Sequence, residues 1–221
     1  MFRVITVSRE YGSGGAAIAR KVAEQLGWRL LDEHLVEAVA RRAQVDVNTA
    51  RRFDESIDSW WHRLNRAGLW AAAIEAGATP ADAQFFDAET MAAIMQEVIR
   101  GAASTGDCVI VGRGAQCVLR DLPGVFRVFI YGSWPERIAR AQRRLGSARD
   151  AAKLLQSVDR TRAECVRRYF GCDWKDPHLY HMMISSHLGI ENAAAMIIHA
   201  VRDDELVSVS PLGRRVSYSR S

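Results

Sequence analysis

Apolar and polar positions alternate along this chain in runs that separate strands from helices. Val4, Ile5 and Val7 form a short β-branched run of the kind that makes a buried strand. It breaks into Ser8-Arg9-Glu10-Tyr11-Gly12-Ser13-Gly14-Gly15, after which Ile18, Val22 and Leu26 carry one apolar helical face over 16–26, with Gly27 as the stop. A second strand over 28–31 ends in Asp32, and a helix follows over 33–42 with Leu35, Val36, Val39 and Ala40 inward. Asp46 or Asn48 is placed to cap a further short helix. Residues 54–78 read as a helical insertion holding Trp60-Trp61, Leu64, Trp70 and Ala71-Ala72-Ala73, broken by Thr79-Pro80. A helix over 88–103 places Met91, Ile94, Met95, Val98 and Ile99 on a core face. Strand 108–111 runs into Gly112-Arg113-Gly114 and a short helix over 115–119, and another strand follows over 125–130. Pro135 opens a helix that ends at Leu145-Gly146. A long polar helix over 148–169, an apolar strand over 180–184 and a closing helix over 190–201 complete the pattern, and a poorly ordered tail is expected after Pro211.

Strands alternating with helices predict an α/β fold, a parallel sheet covered on both faces with ligands at the carboxyl ends of its strands. Ser8-Arg9, Asp32 and Gly112-Arg113-Gly114 each follow a strand directly, so they should crowd one rim. The order strand, glycine-rich turn, helix points backbone N–H groups of 11–17 at one spot at the positive end of a helix dipole, which is an anion site and most often a phosphate site. An ordinary strand-to-helix turn is the alternative. Against the pattern G-x-x-x-x-G-K-[ST], with Gly14 as the second glycine, Arg9 stands at the first and Gly15 at the lysine. Ala16 and Ala17 replace the hydroxyl that would hold Mg²⁺.

Composition narrows the class. At 221 residues, 48% hydrophobic and 25% charged, the chain has the balance of a globular domain large enough for a sizeable core. It opens with no basic region leading into a long apolar run, and no stretch approaches a membrane span, so a cytoplasmic location is expected. Cys108, Cys117, Cys165 and Cys172 lack C-x-x-C spacing and read as reduced thiols, favouring neither a metal site nor a disulfide framework. The net charge of +4 is uneven: 137–168 holds ten basic residues against Asp150, Asp159 and Glu164. Such a segment is a solvated face, a nucleic-acid footprint or a polyphosphate clamp. The glycine turn favours the clamp, and the lack of interleaved aromatics argues against nucleic acid.

With these residues in view, the chain resembles the cytidylate kinase-like family of P-loop nucleoside monophosphate kinases. The likeness rests on SREYGSGG, the Leu31-Asp32 strand end, VIVGRGA over 109–115, VFIYGSWPERIAR over 128–140, DRTRAECVRRYFGCDW over 159–174 and LYHMMISSHLG over 179–189. These segments occur in the family's order across 5–201. A glycine in place of the loop lysine is common in this branch. The resemblance implies a P-loop three-layer α/β/α fold with a five-stranded parallel sheet, an acceptor-side helical insertion within 46–103 and an arginine-rich lid within 146–173. It implies ATP with Mg²⁺ as the donor, held by Tyr11, Gly12, Ser13, Gly14, Gly15, Ala16 and Ala17, and a nucleoside monophosphate, CMP or dCMP, as the acceptor.

The placement and charge of particular residues agree with those roles. Arg113, between two glycines at a strand end, is expected to fork onto an acceptor phosphate or base; a surface ion pair is the plain alternative. Asp159 and Arg162, three apart on one helix face, resemble the lid pair near sugar and phosphates, or form an intrahelical salt bridge. Asp32 orients a Mg²⁺-bound water or a loop group, or caps the next helix. Arg9 supplies charge that the absent lysine would give, or pairs with Glu10. Three positions depart from the family: Gly114 where cytidylate kinases proper have an Asp that helps read cytosine, Leu155 where an Arg is expected, and Ala16 where an Arg often follows the loop glycine. A nucleotide-binding sensor or partner protein of the same fold, with little turnover, is the second functional expectation, and the Trp-rich insertion is a candidate surface for a homo-oligomer.

Overall fold

The computed structural model describes residues 1–32 and 88–203. The expectations for 33–87, with the tryptophan-rich insertion, and for the tail after Pro211 lie outside the described residues. Within them the order is β1 (Val4–Arg9), α1 (Gly15–Leu26), β2 (Arg29–Leu31), α2 (Ala88–Thr105), β3 (Cys108–Val111), α3 (Ala115–Val118), β4 (Val125–Tyr131), α4 (Trp134–Leu145), α5 (Ala148–Phe170), β5 (Met182–Ser185) and α6 (Ile190–Arg202). The five strands form one sheet in the order β2-β3-β1-β4-β5, and every pairing is parallel.

Parallel strands are buried on both faces, and the period of two along β1 divides the core. Ile5 and Val7 pack with Val109, Val111, Val128 and Ile130 against Ile18 and Val22 of α1 and Ala194 and Ile197 of α6. Val4 turns to the opposite face, with Ile110 against Met95, Ile99 and Leu119. On that second face Phe129 packs with Trp174 and Tyr180, beside Val166 of α5. Leu155, where the family comparison leads one to expect an arginine, is fully buried with Ala141 and Ala151 between α4 and α5. That departure serves helix packing.

Register brings the polar strand ends together. Val7 pairs with Val111 and Leu31 with Ile110. Ser8 therefore lies level with Gly112, and Asp32 level with Val111. The expected crowding at one rim is present.

Candidate functional site

The glycine turn is built around one buried hydroxyl. Ser13 is fully buried; its Oγ donates to the Glu10 carbonyl at 2.8 Å and accepts the Gly15 N–H at 3.3 Å. Gly12 and Gly14 have φ of +75° and +83°, a region L side chains avoid. A Cβ on Gly12 would stand 2.9 Å from the Arg137 carbonyl oxygen. At Gly14, which caps α1 without any side-chain hydrogen bond, the space is open. Ala16 and Ala17 in the first turn are exposed. The first N–H groups of a helix have no intrahelical acceptor, and Ile18 is the first to reach back, to the Gly14 carbonyl. Exposed donors at a helix start, beside the open space at Gly14, fit a phosphate.

The outer edge of the turn is held by arginines from α4 and α5. Arg162 Nη1 donates to the Arg9 carbonyl at 2.9 Å, and Arg137 Nε to the Tyr11 carbonyl at 2.7 Å. Arg140 Nη1 donates to the Gly12 and Ser13 carbonyls at 3.2 and 3.3 Å. The Tyr11 N–H runs the other way, to Asp159 Oδ1 at 2.8 Å. Asp159 also pairs with Arg137, and the Arg162 guanidinium lies over the Tyr11 ring, 5.9 Å from its centroid. Burial pushes the Asp159 carboxyl above the usual carboxylate range, while the Tyr11 N–H and Arg137 pull the other way. Asp159 and Arg162 are thus on one helix face as expected, but at 3.9 Å from each other both are turned onto the glycine turn.

Glu10 ties this assembly to the sheet. Only 9% of its side chain is exposed; Oε2 meets Arg137 at 3.2 Å and accepts the Gly132 N–H at 3.2 Å, and Oε1 meets Lys175 at 2.8 Å. Glu10 therefore pairs with Arg137 and Lys175. Arg9, its neighbour, goes to the opposite side, where its Nη2 lies 3.9 Å from Asp32 Oδ1.

On that side stands the second cluster. Asp32 Oδ1 also meets Arg113 Nη1 at 3.5 Å, and Arg113 Nη1 donates to the Val111 carbonyl at 3.3 Å. The Arg113 side chain is only 8% exposed, so it is no surface ion pair. Its φ of +57°, between Gly112 at +74° and Gly114 at +71°, places three successive residues in the left-handed region. A non-glycine residue there costs about 1–2 kcal/mol, a strain found disproportionately at functional sites. Behind it the Phe170 ring fills the space a Cβ on Gly114 would need.

The site thus unites Arg9, Asp32 and Arg113 at adjacent strand ends, beside the helix start at Gly14–Ala17. Asp159 and Arg162 stand at the outer edge of the turn. Arg137, Arg140 and Lys175 were not singled out from sequence; the signal lay in the basic 137–168 segment, but composition alone does not say which arginines turn inward. Among the described residues no three His, Cys, Asp or Glu side chains converge as a protein-built metal site would require, and no helix is long and apolar enough to cross a membrane.

No curated protein matches the chain significantly. Among solved structures, an uncharacterized protein from Eubacterium ventriosum ATCC 27560 is similar at a TM-score of 0.64 and 22% identity, covering 90% of this chain and 98% of that one. A shikimate kinase from Acinetobacter baumannii, in complex with shikimate, is similar at a TM-score of 0.51 and 15% identity, covering 93% and 96%. These likenesses establish the fold, the P-loop kinase type of α/β/α sandwich. The family model that matches runs over residues 4–188, most of the chain, and with the ordered strand-end motifs it shows that the protein belongs to the cytidylate kinase-like family.

Proposed function

We propose that the protein transfers the terminal phosphoryl group of ATP to a nucleoside monophosphate, with CMP or dCMP the first acceptors to test. The observation that carries this reading is the Arg9–Asp32–Arg113 cluster at the carboxyl ends of β1, β2 and β3, beside an open helix start. The donor phosphates would sit on the exposed first turn of α1, at the N–H groups of Ala16 and Ala17, with the open space at Gly14 beside them. Mg²⁺ when bound would neutralise phosphate charge, with Asp32 as the rim carboxylate able to hold one of its waters.

What these residues do follows from charge. An acceptor monophosphate cannot approach the donor's terminal phosphate without cations beside both, and phosphoryl transfer is mostly positioning and electrostatic stabilisation. Arg113 is buried and braced by Asp32 and the Val111 carbonyl, so its fork is in place before any closure. Helix α5, within the 146–173 region expected to carry the lid, grips the glycine turn through Asp159 and Arg162, and α4 grips it through Arg137 and Arg140. Movement of the 146–173 region would therefore be felt directly at the donor site. Base choice rests elsewhere than on a carboxylate at 114, because Phe170 fills that space.

The test is ADP release over CMP, dCMP, UMP, AMP and GMP, joined to Arg113→Ala. The variant should raise the acceptor KM and lower kcat/KM by at least about tenfold, about 1.4 kcal/mol, with ATP affinity in the absence of acceptor unchanged. Arg113→Lys should restore only part, since it lacks the planar fork. No turnover with any acceptor would refute kinase activity on these nucleotides. Tight ATP binding without turnover would favour a nucleotide-binding partner protein, a reading motivated by the missing loop lysine and by Ala16 and Ala17.

A further inference from the structure

Gly15 occupies the place of the P-loop lysine, yet nothing in its backbone demands glycine. It is the first residue of α1 and has no positive φ, so a side chain is permitted there by the backbone. The reason is steric. A Cβ on Gly15 would stand 2.6 Å from Arg9 Cβ, 3.0 Å from Arg9 Cγ and 3.4 Å from Ile130 Cβ. The Arg9 stem already fills the volume through which a lysine at 15 would rise. Further along, a Cβ on Gly112 would collide with Arg9 Nη1. Arg9 therefore lies in a slot walled by two glycines, its stem over Gly15 and its guanidinium over Gly112, with 12% of the side chain exposed. Asp32, which also braces Arg113, sets its far end.

From this geometry we infer that Arg9 delivers to the donor phosphates the fixed positive charge that a P-loop carries on its lysine, and that Gly15 is small because Arg9 has taken the lysine's space. The cation rises from the first position of the loop pattern instead of the seventh, and it arrives between the open start of α1 and Arg113. The chain has exchanged the two positions as a pair. This inference rests on the donor-site reading given above for the glycine turn.

The experiment uses Arg9→Met, Arg9→Gly, Gly15→Lys and the exchange Arg9→Gly/Gly15→Lys in the full chain. ATP dissociation constants are measured by calorimetry without acceptor, and thermal unfolding midpoints without nucleotide. Arg9→Met keeps the stem, so it should weaken ATP by about tenfold or more, the scale of a lost charge-assisted contact, with little change in midpoint. Gly15→Lys alone should lower the midpoint, because two stems compete for one volume. The exchange should recover both the midpoint and most of the ATP affinity lost in Arg9→Gly. ATP binding by Arg9→Met within twofold of the wild type, or an exchange variant no better than Arg9→Gly, overturns the role given to Arg9 while leaving the donor site standing. A wild-type protein that binds no ATP overturns the donor site and this inference together.

Discussion

Replacing Arg137 by methionine keeps a stem of similar length and removes a guanidinium from a side chain only 5% exposed. That group joins three partners: the Tyr11 carbonyl at 2.7 Å, Glu10 Oε2 at 3.2 Å, and Asp159. Its loss leaves two carboxylates, 9% and 14% exposed, short of their shared cation. Breaking a buried pair from one side costs about 3–5 kcal/mol. Here each carboxylate keeps other partners, Lys175 and the Gly132 N–H for Glu10, the Tyr11 N–H for Asp159. The expected loss is therefore about 3 kcal/mol, read from urea unfolding, or a midpoint lower by about 6–12 °C for a domain of this size. The sign with pH follows from Asp159. Burial already holds its carboxyl above the usual range, and Arg137 opposes that rise. Without Arg137 the native value climbs further, so the native state binds a proton that the unfolded state releases. The ionised form then costs the variant stability above the raised native value. That cost shrinks as the pH falls through this value toward the unfolded carboxylate's, about 4. The variant should recover ground on wild type between neutral pH and that limit, and Asp159→Asn in the Arg137→Met background should remove the recovery. A loss below about 1 kcal/mol, the range of exposed pairs, or a difference that does not change with pH, would refute the reasoning.

Gly114→Ala should destabilise by more than the roughly 1–2 kcal/mol of a left-handed non-glycine residue, because the new methyl meets the Phe170 ring. Phe170→Ala should relieve the collision but not the backbone cost, so a double-mutant cycle in urea should show coupling within about 0.5–3 kcal/mol, and strict additivity would count against the contact. The thiols give a separate check: all four cysteines are free and buried, and burial pushes Cys165 up to about 12 and raises Cys108 and Cys117. A thiol-exchange reagent at pH 8 should label them far more slowly in the native protein than after unfolding, and rapid native labelling of Cys165 would contradict its placement on the buried face of α5.

The framework was legible wherever one physical signal acted alone. The β-branched run at Val4–Val7, the 3.6 period through Ile18, Val22 and Leu26, and the Cys108–Val111 strand all stand where the pattern puts them. The last strand begins at Met182 instead of 180 because Tyr180 is apolar for another reason. It packs on Phe129 and sends its hydroxyl to the Trp174 carbonyl, so its burial owes nothing to strand pairing. The rim residues Arg9, Asp32 and Arg113 were legible because each stands at or just past the carboxyl end of a strand in a parallel sheet. Pairing of Arg9 with Glu10 was the less sound alternative on physical grounds, since consecutive residues leaving a strand point to opposite faces. Arg137 and Arg140 were not legible as individuals. Ten basic residues in 137–168 carry the same chemistry, and only the docking of α4 onto the turn distinguishes these two from Arg143 and Arg144.

That docking has a consequence for how an anion site can be made without a loop lysine. A peptide group is a dipole, and a turn that offers its N–H ends to a phosphate must dispose of its carbonyl ends on the other side. Here the carbonyls of Arg9, Tyr11, Gly12 and Ser13 are each taken by a guanidinium from α4 or α5. A carbonyl shares its peptide unit with the next residue's N–H, so the bonds to Tyr11 and Ser13 polarise the Gly12 and Gly14 N–H groups, while the Glu10 and Ser13 N–H groups are taken by the Ile130 and Glu10 carbonyls. The three arginines therefore contribute positive potential to the glycine turn and the start of α1, while Asp159 and Glu10 keep the cluster from repelling itself apart. Arg9 and Arg113 are left on the far side, at the strand ends. The family's basic segment and its glycine turn act as one element, which is why neither half read alone says how the site holds charge.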